Sequence, residues 1–236
     1  MGSSGRDLSR TPRLAAIATA LGLACVATPK PRFLSGETDR STGTGLQRLE
    51  FSGFQRAWLR PDVSFSRYDQ VWLRRSEITY REEPEHERGR QHGSASGNYA
   101  LSNSLYDRLG RQTLEVFERE LGGHGLRVAR AAGPSVLDVR VGLLDLVVRW
   151  PLNQVDGQNP LYVDSLGSVV LVIDLHDSES GALIARLAEF DEIASDSLRP
   201  LEATAGTAIY ETRRLMRSWA TRLRALLQSL QAEAPS

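Results

Sequence analysis

The alternation of apolar and polar residues over 135–150 constrains the fold of this chain more than any other feature. Apolar side chains occupy the odd positions from Leu137 to Leu143 and then the even positions from Leu144 to Trp150. A period-2 pattern changes parity only where one residue is inserted into a strand. The sequence therefore predicts a long strand with a β-bulge near 142–144.

Other periodic segments predict the rest of the fold. Alternation predicts strands over 68–80, 167–176 and 182–193, a short strand at 126–128, and a tight turn at 177–181. Helical spacing predicts helices over 49–59, 102–122 and 201–231, of which the second begins at a Ser102 or Asn103 cap. Together these elements predict an α+β fold: a single mixed or antiparallel sheet of about five strands, with two helices packed on one face.

The N-terminal residues have the pattern of a secretory signal peptide. Three arginines precede an eleven-residue apolar run that ends at Ala24. A bilayer span needs about 20 apolar residues, so this run is too short to remain as a membrane helix. We expect residues 1–24 to be a lipoprotein-type signal peptide, 25–48 to be a flexible tether, and 49–232 to be a single α+β domain.

The only cysteine of the chain, Cys25, directly follows the apolar run. It resembles the acylated cysteine of the bacterial lipobox, although Gly22 occupies the usual Leu position and Leu23 a position where small residues are commoner. The alternative is a secretory signal with an incidental cysteine. Acylation implies a lipid anchor, and Val26 after the cysteine implies the outer membrane, facing the periplasm. Without acylation the protein is soluble and periplasmic, or secreted.

The charge balance argues against a nucleic-acid partner. The chain has 29 basic and 29 acidic side chains, and loss of residues 1–24 leaves 26 basic and 28 acidic ones. Such a chain lacks the net positive charge that nucleic-acid binding uses. A single cysteine also excludes an internal disulfide framework.

The sequence contains no motif with catalytic geometry. The segment 93–97 has Ala95 where a Gly-x-Ser-x-Gly nucleophile would stand, and no phosphate-binding loop or dinucleotide fingerprint occurs. His86 and His92 are six residues apart in the charged segment 81–98, which we interpret as an exposed loop and not as a metal site. We therefore predict no catalytic residue, no metal and no cofactor, and an enzymatic activity is unsupported.

Two groups of charged residues remain as candidate sites. Asp174 and His176 share one face of a predicted strand, with Asp177 adjacent. This group would suit a periplasmic enzyme or a metal-binding protein, and the alternative is a strand whose outer face becomes polar.

The second group lies on the terminal helix. Arg213, Arg217 and Arg224 fall on one side of it, opposite much of the apolar stripe. They would bind anionic lipid headgroups or an acidic partner, and the alternative is a solvated face.

The start of the predicted domain resembles a known family. The residues Phe-Ser-Gly-Phe at 51–54, Leu59 and a strand opening Tyr68-x-x-Val71 resemble the DUF3313 family of bacterial proteins, many of them predicted lipoproteins. Gln55 stands where that family commonly has Leu, and the family's Asp-Pro-Val-like strand end is missing. The resemblance implies a small envelope lipoprotein domain, and it implies no activity and no catalytic residues.

Two functional hypotheses follow. The first is a non-enzymatic envelope lipoprotein that is anchored in the membrane and serves as a binding or accessory module for an unidentified envelope protein or component. The alternative is a periplasmic enzyme or metal-binding protein that uses the Asp174, His176 and Asp177 region. The two differ in whether these side chains converge in a concave pocket.

Overall fold

A large mixed sheet forms the centre of the protein and two helices pack on one of its faces. The structure is a computed structural model, and it describes residues 30–38, 45–81, 102–122, 125–149, 161–195 and 199–232. The elements in those residues follow in chain order: β1 (Arg32–Thr38), β2 (Gln47–Glu50), β3 (Arg56–Leu59), a 3-10 turn (Phe65–Arg67), β4 (Gln70–Tyr80), α1 (Asn103–Gly122), β5 (Arg127–Val128), β6 (Val136–Val148), β7 (Tyr162–Val163), β8 (Gly167–Asp177), β9 (Leu183–Glu192), β10 (Leu201–Glu202) and α2 (Ala205–Ala232).

The strand order of the main sheet is β1-β2-β3-β9-β8-β6-β4-β5, and β7 pairs with β10 in a separate two-stranded sheet. β4 is parallel to both β5 and β6, because α1 returns the chain to the same end of the sheet, and the other neighbours are antiparallel. The predicted α+β class is confirmed. The prediction of a single sheet of about five strands is wrong, because β1, β2 and β3 extend one edge of the main sheet to make eight, and β7 and β10 form a second sheet.

The strand number is underestimated mainly because residues 49–59 are predicted to be a helix. These residues form the end of β2, a loop and β3, with Arg48 opposite Trp58 in an antiparallel register. The aromatic spacing that suggested a helix falls partly in the loop, where Phe51 and Gly53 have φ angles of 56° and 80°. An α-helix requires negative φ at every residue, so the segment cannot continue as one. β1 lies inside the range 25–48 that the sequence predicts as a tether.

The bulge predicted in the long strand is present, slightly later than expected. Leu144 pairs with Val170 and Val147 pairs with Ser168, so β6 contains one more residue than β8 between these two pairs. Asp145 has a φ of 54° at this point. Before the bulge the odd-numbered residues up to Leu143 are buried, and after it Leu146 and Val148, which are even-numbered, are buried. One inserted residue produces this switch from odd to even positions.

The core lies between the sheet and the helices. Phe117 and Leu121 of α1 and Leu223 of α2 are fully buried, and they belong to the same apolar cluster as inward side chains of the central strands, Val139, Leu171, Ile173 and Leu187 among them. The two helices run side by side in the same direction. Thr113 contacts Met216, and farther along the helices Glu120 contacts Arg224.

The helix starts follow ordinary capping chemistry. The Ser102 hydroxyl accepts a hydrogen bond from Leu105 N at 3.4 Å, which confirms the predicted start of α1. α2 begins at Ala205 and not at Leu201, because Leu201 pairs with β7 and the Thr204 hydroxyl caps the helix through Thr207 N at 3.1 Å. Within the described ranges, no helix is both long enough and apolar enough to span a bilayer.

Candidate functional site on the outer face of the sheet

The face of the sheet opposite the two helices, called here the outer face, carries a row of charged and aromatic side chains. Strand alternation points these residues away from the core, and the strand registers place each one beside the next. The row crosses six strands in the order Arg48, Trp58, Arg186, Asp174, Arg140 and Arg74.

At one end of the row, Arg74 and Arg140 share Asp138. Arg74 Nε and Arg140 Nε donate to the two carboxylate oxygens of Asp138 at 2.8 and 3.0 Å. Asp138 is 2% exposed, and burial alone would raise its pKa, but the hydrogen bonds and charges of the two arginines outweigh burial and lower the pKa. Asp138 therefore remains ionised and fixes both guanidinium groups in place.

In the middle of the row, Arg186 makes a two-pronged pair with Asp174. Arg186 Nε and Nη2 donate to the two oxygens of Asp174 at 2.7 and 2.8 Å. Such bidentate pairs fix the planar guanidinium in orientation as well as position. The side chain of Arg186 is still 36% exposed, so part of it faces solvent.

Two tryptophans support arginines of this face by cation–π contact. The Arg48 guanidinium carbon lies 5.1 Å from the ring centre of Trp58, and that of Arg74 lies 4.3 Å from Trp72. The row contains four arginines and one aspartate, and Asp138 beside it brings the net charge to about +2. Arginine and tryptophan are the residue types that most often dominate binding energy at protein interfaces.

The predicted Asp174, His176 and Asp177 group does not form a site. Asp174 and His176 lie on the outer face, where Asp174 is paired with Arg186 and His176 Nδ1 lies 3.0 Å from Gly181 O. Asp177 is buried on the helix side, where Tyr68 Oη donates to it at 2.9 Å. Among the described residues, no three His, Cys, Asp or Glu side chains are grouped so that they could hold a metal ion.

The terminal-helix arginines divide into bound and exposed ones. Arg224 donates to Glu120 of α1 at 3.2 Å and thereby joins the two helices. Arg213 and Arg217 are exposed, and neither forms an ion pair with any residue that the structure describes. Of the three predicted arginines, only Arg213 and Arg217 remain as an exposed basic surface, because Glu120 of α1 neutralises Arg224. The sequence of α2 alone does not indicate this acid.

Several predicted features lie outside the described residues. These are the signal peptide, Cys25, His86, His92 and the segment 81–98 except for Arg81. Their predicted roles stay predictions.

The segment that carries the family resemblance has a structural role. The Gln55 side chain donates to Phe190 O at 2.9 Å and accepts from Phe190 N at 3.1 Å, which fastens the β2–β3 loop to β9. Arg222 of α2 lies over the Phe54 ring at 5.4 Å and donates to Glu189 at 2.6 Å. The loop therefore joins the edge strands to α2.

A cleft of about 230 Å³ lies where the described chain begins, between Pro31, Phe33, Leu59, Phe65 and Leu230. Pockets that bind drug-sized ligands usually measure about 300–1,000 Å³. This cleft is below that range, and we do not assign a ligand to it.

Comparison with known proteins gives structural neighbours but no family. No protein-family model matches the chain, and no curated protein matches it. PelC from Paraburkholderia phytofirmans, a dodecamer, is 16% identical with a TM-score of 0.33, and the match covers 67% of this chain and 88% of PelC.

Two further solved structures are similar at the same level. A DUF330 protein from Xanthomonas campestris is 12% identical with a TM-score of 0.35, covering 68% of this chain and 84% of its own. A homologue of a neuraminyllactose-binding hemagglutinin from Helicobacter pylori is 11% identical with a TM-score of 0.30, covering 66% and 80%. One neighbour thus belongs to a DUF family of bacterial proteins, but none of these matches is to DUF3313.

Proposed function

We propose that this protein is an envelope lipoprotein, anchored through acylated Cys25 and serving as a non-enzymatic binding module for another envelope component. We also propose that it is a distant member of the DUF3313 family, on the residues at 51–54 and 68–71. In this proposal the anchor places the domain at the outer membrane, facing the periplasm. The partner is an unidentified envelope protein.

The observation that carries the binding role is the row of arginines and tryptophans on the outer face. A free arginine side chain loses about 2 kcal/mol of rotamer entropy when it is fixed. Asp138 and Asp174 already hold three guanidinium groups in place in the free protein. The entropy that these side chains lose when a partner binds is therefore smaller, and binding is correspondingly more favourable. The surplus of positive charge favours a partner that is acidic in this region.

The anchor is tested by replacing Cys25 with serine in the full chain. Wild-type protein is expected to incorporate radiolabelled palmitate and to fractionate with membranes, and Cys25→Ser is expected to lose both properties. Trp72→Phe in the otherwise wild-type chain is the control, because it leaves the lipobox intact. Unchanged labelling and fractionation of Cys25→Ser would refute the anchor.

The binding role is tested by crosslinking in intact cells. A protein captured by wild type and lost in Arg140→Gln, with both chains equally abundant and equally membrane-bound, supports the outer face as the binding surface. Equal capture by both chains contradicts that assignment. Capture of nothing by wild type contradicts the binding role itself.

A further inference from the structure

The N-terminal half of α2 presents a second, separate surface, called here the α2 stripe and formed by Ile209, Tyr210, Arg213 and Arg217. These positions lie on one side of the helix by their spacing. Ile209 is 36% exposed and Tyr210 is 66% exposed. Another exposed tyrosine, Tyr162, lies on β7, which pairs with β10 directly before α2.

The charge on the α2 stripe is not neutralised by its own helix. Glu211 is the only acid of α2, and it is buried and accepts a hydrogen bond from Arg214 at 2.7 Å. Arg213 and Arg217 are left without an acidic partner in the described part of the chain. The α2 stripe therefore combines two guanidinium groups that have no acidic partner among the described residues with an exposed tyrosine and an exposed aliphatic side chain.

We propose that the α2 stripe docks on the surface of an anionic phospholipid bilayer, as a second membrane contact beside the lipid anchor. This proposal rests on the proposed anchor at Cys25 for its setting in the cell. Guanidinium groups bind phosphate in two-pronged geometry, and tyrosine is enriched at the level of lipid headgroups. Basic, aromatic and aliphatic side chains are also the types that contact lipid in membrane-surface helices. The apolar face of α2 is buried in the core, so the proposed contact is made at the level of the headgroups.

The two proposed membrane contacts are separated along α2. Pro31 and Leu230 line the same cleft, and Leu230 is near the C-terminal end of α2, so the described chain begins near that end of the helix. The α2 stripe is centred about 25 Å away, at a rise of about 1.5 Å per residue along the helix. Cys25 is separated from Lys30 by a length of at most about 18 Å. Attachment at both ends would hold α2 roughly along the bilayer.

The test uses the chain from residue 25 onwards carrying Cys25→Ser, which lacks the basic and apolar signal peptide and the lipid and leaves the α2 stripe. Co-sedimentation is measured with vesicles of pure phosphatidylcholine and with vesicles in which about a third of the lipid is phosphatidylglycerol. We expect binding to the anionic vesicles, weakened about 25-fold by Arg213→Gln with Arg217→Gln, at about fivefold for each arginine. Arg127→Gln with Arg130→Gln removes the same charge from the β5 edge and should weaken binding less than about twofold.

A second measurement reports which part of the protein surface contacts the vesicle, independently of how tightly the protein binds. The Cys25→Ser chain has no cysteine, so Tyr210→Cys accepts a polarity-sensitive dye at the α2 stripe and Arg130→Cys accepts one at a distant site. Anionic vesicles should shift the emission of the first dye to the blue and leave that of the second unchanged.

Three outcomes would overturn the proposal: equal binding to both kinds of vesicle, equal weakening by the two pairs of substitutions, or equal emission shifts. A further contrary result is that the protein binds no vesicles, while proteins are crosslinked to it in cells only when Arg213 and Arg217 are present. That result would assign the α2 stripe to an acidic protein partner. If palmitate labelling did not depend on Cys25 while the α2 stripe still bound anionic vesicles, the proposed anchor would be refuted and the proposal for the α2 stripe would stand.

Discussion

Asp177 is the residue on which the turn between β8 and β9 depends. It accepts hydrogen bonds from Ser180 N at 2.9 Å and from Ser180 Oγ at 2.7 Å, as well as from Tyr68 Oη and Arg67. The Ser180 bonds come first among the causes that lower the pKa of Asp177 to about 2. Burial, followed by the bond to Asp177, raises the pKa of Tyr68 to about 12.

This lowered pKa predicts a loss of stability in acid. Because the folded-state pKa of Asp177 lies below its unfolded value of 3.8, its contribution is complete above that value and disappears as the pH falls towards about 2. At pH 7 it amounts to about 2 kcal/mol. Urea unfolding of wild type and Asp177→Asn should therefore differ at pH 7 and converge near pH 2.

The matched control is Asp69→Asn, which removes a carboxylate from an exposed pair with Arg127. It should change the free energy of unfolding by less than about 1 kcal/mol at pH 7. Parallel curves for wild type and Asp177→Asn across the whole pH range would contradict the assignment to Asp177.

Among the elements, β6 and β8 meet unusually closely at the bulge. Just beyond the insertion at Asp145, the carbonyl oxygen of Val147 lies over Gly167, where an added Cβ would lie 2.0 Å from that oxygen. Neither partner is a flexible side-chain end, so one of the two backbones would have to move. The close approach of the Val147 carbonyl therefore favours glycine at position 167.

Gly167→Ala is expected to lower the free energy of unfolding by about 3 kcal/mol, because the new methyl group must displace a central strand. Gly133→Ala is the control, since its nearest neighbour would be Val136 Cγ2 at 3.4 Å, an ordinary contact. Chemical denaturation measures both. A Gly167→Ala protein as stable as the control would show that the strands separate easily here.

The elements that the sequence predicts well are those whose pattern is local. β4, β6, β8, β9 and both helices follow from alternation or helical spacing within one segment. β2 and β3 have only four residues each, which is too short for period 2 to be distinguished from aromatic residues at helical spacing. The number of residues over which a pattern repeats therefore decides whether a strand or helix can be predicted from it.

The outer-face row could be predicted only in part for a related reason. The alternation in β6 already indicates that Asp138 and Arg140 point to the same face. That Arg74 and Arg186 join them depends on the register between strands far apart in the chain, which no single segment encodes. The same holds for Glu120, which neutralises Arg224 from another helix.

At the scale of the whole molecule, α2 connects the parts of the fold. Trp219 Nε1 donates to Asp191 of β9 at 2.7 Å, Gln231 donates to Tyr68 O at 2.7 Å, and Met216 contacts α1. Loss of α2 packing would therefore remove contacts with β9, with α1 and with Tyr68 at once. We expect the described elements to unfold in a single cooperative transition.

Leu223→Ala tests this coupling. Leu223 is fully buried, so its truncation should lower the free energy of unfolding by about 3 kcal/mol. Far-ultraviolet and near-ultraviolet circular dichroism should record the same shift in midpoint. Ile209→Ala, at a half-exposed position of the same helix, should cost less than about 1 kcal/mol. Separate midpoints for the two signals would show that the helices and the sheet unfold independently.

The edge position of β1 has a mechanical consequence. Among the described strands, β1 is the outermost of the main sheet and pairs only with β2, and its described side chains Arg32 and Phe33 are exposed. A force that pulls the N-terminus away from the domain acts on this strand before it reaches the core. Peeling the seven residues of β1 from β2 would release up to about 25 Å of chain. We therefore expect β1 to be the first strand to separate under tension, although in denaturant, which acts on all elements at once, it should unfold with the rest of the sheet.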